Sequence, residues 1–150
     1  MLRKNARMTA LLGIATAALA LAGCESVVEN VSETYNATMT GAAEVPGPGD
    51  PDGSGRAEVS IADRIDEFCY EIKDVAGIQP ATMAHIHRGA VGVAGPPVVT
   101  LENPVDGHSK ACPKVDEAIA DEIEANPANF YVNVHNAEYP NGAIRGQLGR

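Results

Sequence analysis

From residue 34 onward, apolar and polar positions alternate through most of the chain. Period-two alternation marks strands with one buried face. In Arg56–Ala62 the apolar side carries Ala57, Val59 and Ile61, and the polar side Glu58 and Ser60. Ile65–Val75 sets Phe68, Tyr70 and Ile72 against Cys69, Glu71 and Lys73, and Ala81–Arg88 sets Ala84 and Ile86 against Met83, His85 and His87. Phe130–His135 opposes Phe130, Val132 and Val134 to Tyr131, Asn133 and His135; Ala143–Leu148 opposes Ile144 and Leu148 to Arg145 and Gln147. Thr34–Thr40 and Pro97–Leu101 read as two further strands, the latter limited at its start by Pro96-Pro97. In Val115–Ala125 the apolar residues Val115, Ala118, Ile119 and Ile123 have helical spacing, and Asn126-Pro127 ends the run.

Between these segments lie turn signals. Gly41–Gly55 holds Pro46, Pro48, Pro51 and five glycines, and Asp63-Arg64 reads as a tight turn. Gly77–Pro80, Gly89–Gly95 and Asn103–Pro113 read as turn or loop, and Asn141-Gly142 as the hairpin turn joining the last two strands. About seven short strands and one short helix predict an all-β fold, an antiparallel Greek-key β-sandwich. Composition agrees: with Phe 2, Tyr 4 and no Trp, the core must rest on Val, Ile, Ala and Leu.

The start of the chain has another character. Met1–Arg7 is basic, Met8–Ala20 is an apolar run, and Leu21-Ala22-Gly23-Cys24 follows. The run is shorter than the roughly 18–20 residues of a spanning helix and reads as a secretory signal peptide. Its end resembles the lipobox of bacterial lipoproteins. That resemblance implies a lipid-modified Cys24 as the mature N-terminus, export, and anchoring to the outer face of a bacterial membrane. Residues 1–23 are then leader, 24–33 a polar tether and 34–150 the folded domain. Net charge is −9, and the leader holds three basic residues and no acid, so the remainder carries −12. Nucleic acid is disfavoured as a partner, since phosphate contacts need a basic patch. With Cys24 committed to lipid, Cys69 and Cys112 remain, and in an oxidising compartment they are expected to form a disulfide.

The candidate chemistry lies on the polar sides of three strands. His85 and His87 share a face, as do Tyr131, Asn133 and His135, and the Asn141-Gly142 hairpin sets Arg145 and Gln147 beside them. His-x-His on one strand with a third His from another is a donor set for zinc or copper that leaves a coordination position open. The competing reading is a hydrogen-bonded structural network. It ranks first because Arg145 repels a cation and neither histidine strand holds an acid; Glu138 is the nearest by sequence. A small anion or ligand site ranks behind both. His108 reads as exposed, and Asp50-Pro51-Asp52-Gly53 as loop rather than a calcium site. No nucleophile elbow or phosphate loop is present, and no catalytic residue is assigned.

Four pieces, in order, resemble the CHRD domain, a module of chordin and of many bacterial exported proteins. They are Gly41-Ala42-Ala43-Glu44-Val45-Pro46, Ala84-His85-Ile86-His87-Arg88-Gly89-Ala90, Tyr131-Val132-Asn133-Val134-His135 and Pro140-Asn141-Gly142-Ala143-Ile144-Arg145-Gly146-Gln147-Leu148. The resemblance implies an extracellular β-sandwich module without an established enzymatic activity. The first functional expectation is therefore a lipid-anchored, non-enzymatic binding or scaffolding module whose protein or small-ligand partner the residues do not identify. The alternative is a copper or zinc protein using His85, His87 and His135.

Overall fold

The computed structural model describes residues 32–62 and 66–150. The leader, Cys24, the tether up to residue 31 and the Asp63-Arg64 turn lie outside the described residues. The elements are β1 (Glu33–Thr40), β2 (Ser54–Ala62), β3 (Glu67–Ala76), β4 (Ala81–Arg88), β5 (Pro97–Leu101), β6 (Ser109–Ala111), α1 (Glu117–Ala125), β7 (Phe130–Asn136) and β8 (Ile144–Gln147). All strand pairs are antiparallel, in the order β5-β4-β7-β8-β1-β2-β3-β6.

The order divides into two four-stranded halves, β5-β4-β7-β8 and β1-β2-β3-β6. They are continuous at one seam, where Thr40 pairs with Arg145 and Asn36 exchanges backbone hydrogen bonds with Gly149 at 2.7 and 2.9 Å. The links from β3 to β4 and from β5 to β6, and the helical link from β6 to β7, cross between halves. The sheet then curls until its β5 end meets the other half: the Glu102 amide donates to the Tyr70 hydroxyl on β3 at 2.7 Å. The all-β, antiparallel expectation holds, but the two halves form one nearly closed sheet rather than two separate layers. Right-handed strand twist, accumulated over eight strands, drives such closure and hides the sheet edges.

The expected faces are those observed. Ala57, Val59, Ile61, Phe68, Tyr70, Ile72, Ala84, Ile86, Val132, Val134, Ile144 and Leu148 all lie in one buried cluster, to which α1 adds Ile123. Asp116 caps α1, its carboxylate accepting from the Ala118 amide at 2.9 Å, and the chain leaves the helix at Asn126. One strand was not expected. Asn103–Pro113 reads as loop, yet Ser109–Ala111 forms β6 on the edge beside β3. Three residues are too few for an alternation to show. The Cys69–Cys112 disulfide forms as expected and pins the chain just beyond this short edge strand to β3. Its sulfurs are therefore not free thiols or metal ligands.

Candidate functional site

The polar sides of β4, β7 and β8 do share one face. In the register, one row runs His87, Tyr131, Gln147; the next runs Thr100, His85, Asn133, Arg145, Thr40; a third pairs Met83 with His135. All seven polar-patch residues expected from the sequence thus fall on a single surface. Two bulges bracket the histidines: one in β4 at Thr82, between Ala81 and Met83 against β7, and one in β5 at Val98, opposite the step from Ile86 to His87. Bulges re-aim side chains and are frequent beside functional sites.

This face is not open to water as alternation alone predicts. β7 is buried along its whole length, on both sides. The outer side is roofed by two loops, and the roof is tied down through backbone carbonyls. From the loop after β4, Gly95 O accepts from His87 Nδ1 at 2.8 Å, Ala90 O from Arg145 Nη2 at 3.0 Å, and Gly89 O from Gln147 Nε2 at 2.8 Å. The Tyr131 hydroxyl accepts from the Gly95 amide at 3.2 Å. The other roof is the 41–53 loop, which anchors to the chain before β8 through the Asp50 amide and Ala143 O at 2.9 Å.

The three histidines converge. One ring nitrogen from each lies within 4.8 Å of the other two, and His85 Nδ1 is 3.3 Å from His135 Nε2. A carbonyl oxygen only accepts, so the contact to Gly95 O places the hydrogen of His87 on Nδ1, and the contact from His135 Nδ1 to Pro140 O at 3.0 Å does the same there. Both rings therefore present Nε2 lone pairs, and His87 Nε2 is buried with no hydrogen-bond partner among the described residues. Outer-shell carbonyls that fix tautomer and ring orientation in this way are the usual support of metal-binding imidazoles. Tetrahedral nitrogen ligands at about 2.0–2.1 Å from a zinc ion stand about 3.3 Å apart, the separation His85 and His135 already have. Burial lowers the pKa of all three histidines, so near neutral pH their lone pairs are not lost to protons.

Arg145 does not stand among the ligands. Its guanidinium lies 3.4 Å above the ring of Tyr131, which stacks on His87 with ring centres 4.8 Å apart. Asn133 separates it from His85 in the register. Its charge still acts on His87, and the acid of this face is Glu44, which comes from the roof. Only 6% exposed, its Oε1 accepts from Asn133 Nδ2 at 2.5 Å. Burial raises its pKa from 4.5 to about 7, against the lowering pull of Arg145 and the Val45 amide. Gly142 makes this position available: with φ +143°, a Cβ built there would sit 2.4 Å from Glu44 Oε2. Glu138, the nearest acid by sequence, is exposed and belongs to a surface groove with Asp50, Asp52 and Tyr139. Glu44 was legible only as part of the Gly41–Pro46 motif. The contact that brings it in spans 89 residues.

The remaining candidates lie elsewhere. His108 is exposed and contacts Glu71 at 3.1 Å. Asp50 accepts from the Asp52 amide at 3.1 Å, a local turn contact as expected.

The fold and the face define a class: a small antiparallel β module, stapled by one disulfide, with a roofed polar face carrying three converging histidines. More particularly, the model of the CHRD domain family matches residues 35–148, from β1 through β8, and the chain belongs to that family. No curated protein and no solved structure gives a match.

Proposed function

We propose that this chain is an exported module, held at the bacterial envelope through lipid on Cys24, that binds one copper or zinc ion through His85, His87 and His135. One observation carries the metal reading. Three imidazoles, two of them oriented by backbone carbonyls, bring ring nitrogens within 4.8 Å of one another, and the buried His87 Nε2 lacks a partner among the described residues. Leaving a buried acceptor unpaired costs on the order of 1–3 kcal/mol, and a bound ion removes that cost. The Arg145 guanidinium stacks on Tyr131 and makes no hydrogen bond to the imidazoles, although its charge still reaches His87. Three neutral nitrogens leave a fourth position for water or a small ligand, as in carrier and catalytic sites alike.

Metal analysis and titration of the purified protein with Zn(II) and Cu(II) test this. One ion per chain is expected, with binding lost in His87→Ala while circular dichroism stays that of the folded chain. Absence of stoichiometric metal and of any histidine-dependent affinity would overturn it. Membrane fractionation of Cys24→Ala tests the anchor in the same preparation. A second reading, a metal-free binding or scaffolding module, is favoured by the His85–His135 contact, which closes a hydrogen-bonded network without an ion. It predicts an intact, metal-indifferent fold.

A further inference from the structure

Met83 is one of four large apolar side chains left exposed among the described residues, and the other three are valines in loops. It sits on β4, on the side that bears His85 and His87, and the register places it directly opposite His135. Directly opposed residues of an antiparallel pair have Cβ atoms about 4.5–5.5 Å apart. A methionine side chain, with three rotatable bonds, spans that distance readily. The bulge between Ala81 and Met83 adjoins this pair, and Met83, 44% exposed, is not part of the core cluster or of the residues packed against it.

We propose that the ion is copper and that the Met83 thioether completes its coordination in the Cu(I) state. The proposal rests on the three-histidine reading and deepens it. A thioether is a soft, neutral donor. It favours Cu(I) and adds little for Zn(II), whose protein ligands are imidazole, thiolate and carboxylate. The three histidines alone accept either metal; the sulfur is the element that discriminates. Met83 is exposed whereas Arg145 and Tyr131 are buried, so the soft donor stands on the solvent side of the patch. The open position inferred above is then filled in Cu(I) and open to water in Zn(II).

The test compares the full-length protein with Met83→Leu, a substitution of similar volume at an exposed site. Cu(I) affinity is measured by competition with a chromogenic Cu(I) chelator and Zn(II) affinity by titration, with X-ray absorption on the Cu(I) form. Met83→Leu is expected to weaken Cu(I) binding by about ten-fold or more, leave Zn(II) affinity within about two-fold, and remove a copper–sulfur scattering path present in the parent. Unchanged Cu(I) affinity with no copper–sulfur path, in protein that still binds metal through its histidines, overturns the role of Met83 and leaves the histidine site standing. Failure of both proteins to bind either metal overturns the histidine site itself, and Met83 with it.

Discussion

Replacing Glu44 by Gln removes a buried ionisable group while keeping an oxygen to accept from Asn133. In the folded chain the Glu44 carboxyl titrates at about 7, against 4.5 when unperturbed, chiefly because burial penalises its charged form. The sign follows from proton counts. Between about pH 4.5 and 7 the native state holds a proton that the unfolded chain has released, so stability falls as pH rises through that window. Below it both states are protonated, and above it both are ionised. At about 1.4 kcal/mol per unit, the full effect has an upper bound of roughly 3 kcal/mol. Residual solvent screening reduces it, and about 1–2 kcal/mol is the expected size. Urea denaturation of the metal-free protein from pH 5 to pH 8 measures it. Glu44→Gln should match the parent near pH 5 and exceed it at pH 8, with a midpoint higher by about 1 M urea. Parallel pH profiles for the two proteins would refute the reasoning. They would mean that Glu44 is ionised throughout and that its contact with Asn133 is a charge-assisted bond.

The histidines predict the opposite slope. Burial depresses all three pKa values, so below pH 6.5 the unfolded chain takes up protons that the fold resists. Metal-free protein should lose stability as pH falls through that range, and measurement in the Glu44→Gln background removes the opposing contribution; a flat profile there would count against the buried, neutral histidines. The disulfide closes a separation of 43 residues, and the chain-entropy estimate for its loss is about 4 kcal/mol. The Cys69→Ala, Cys112→Ala double variant should show that loss in chemical denaturation, and a thiol assay on the parent should find neither cysteine free.

Much of this protein is written in its alternation. Period two assigns a face to every residue of a strand, so the inward placement of Ile86 and Val132 and the shared side of His85 and His87 need no coordinates. The Asn141-Gly142 hairpin similarly sets Arg145 beside Asn133. These are local consequences of strand geometry and turn chemistry, and they name the histidines before any distance is known. Other features had no local sign. The short strand Ser109–Ala111 exists because β3 offers it an edge. Tyr131, Asn133 and Arg145 lie on the nominally outer side yet are buried, because loops from residues 41–53 and 89–96 close over them. The 89–96 loop is bound largely through main-chain carbonyls of Gly89, Ala90 and Gly95, groups that every residue carries and that leave no signature in the sequence. Glu44 enters from far along the chain, and Arg145 stacks on Tyr131, which in turn stacks on His87. Which residues share the face thus follows from local pattern. Tertiary structure alone decided which of them converge, which tautomers they hold and where the charges sit, since those depend on contacts between segments whose separation no local pattern encodes.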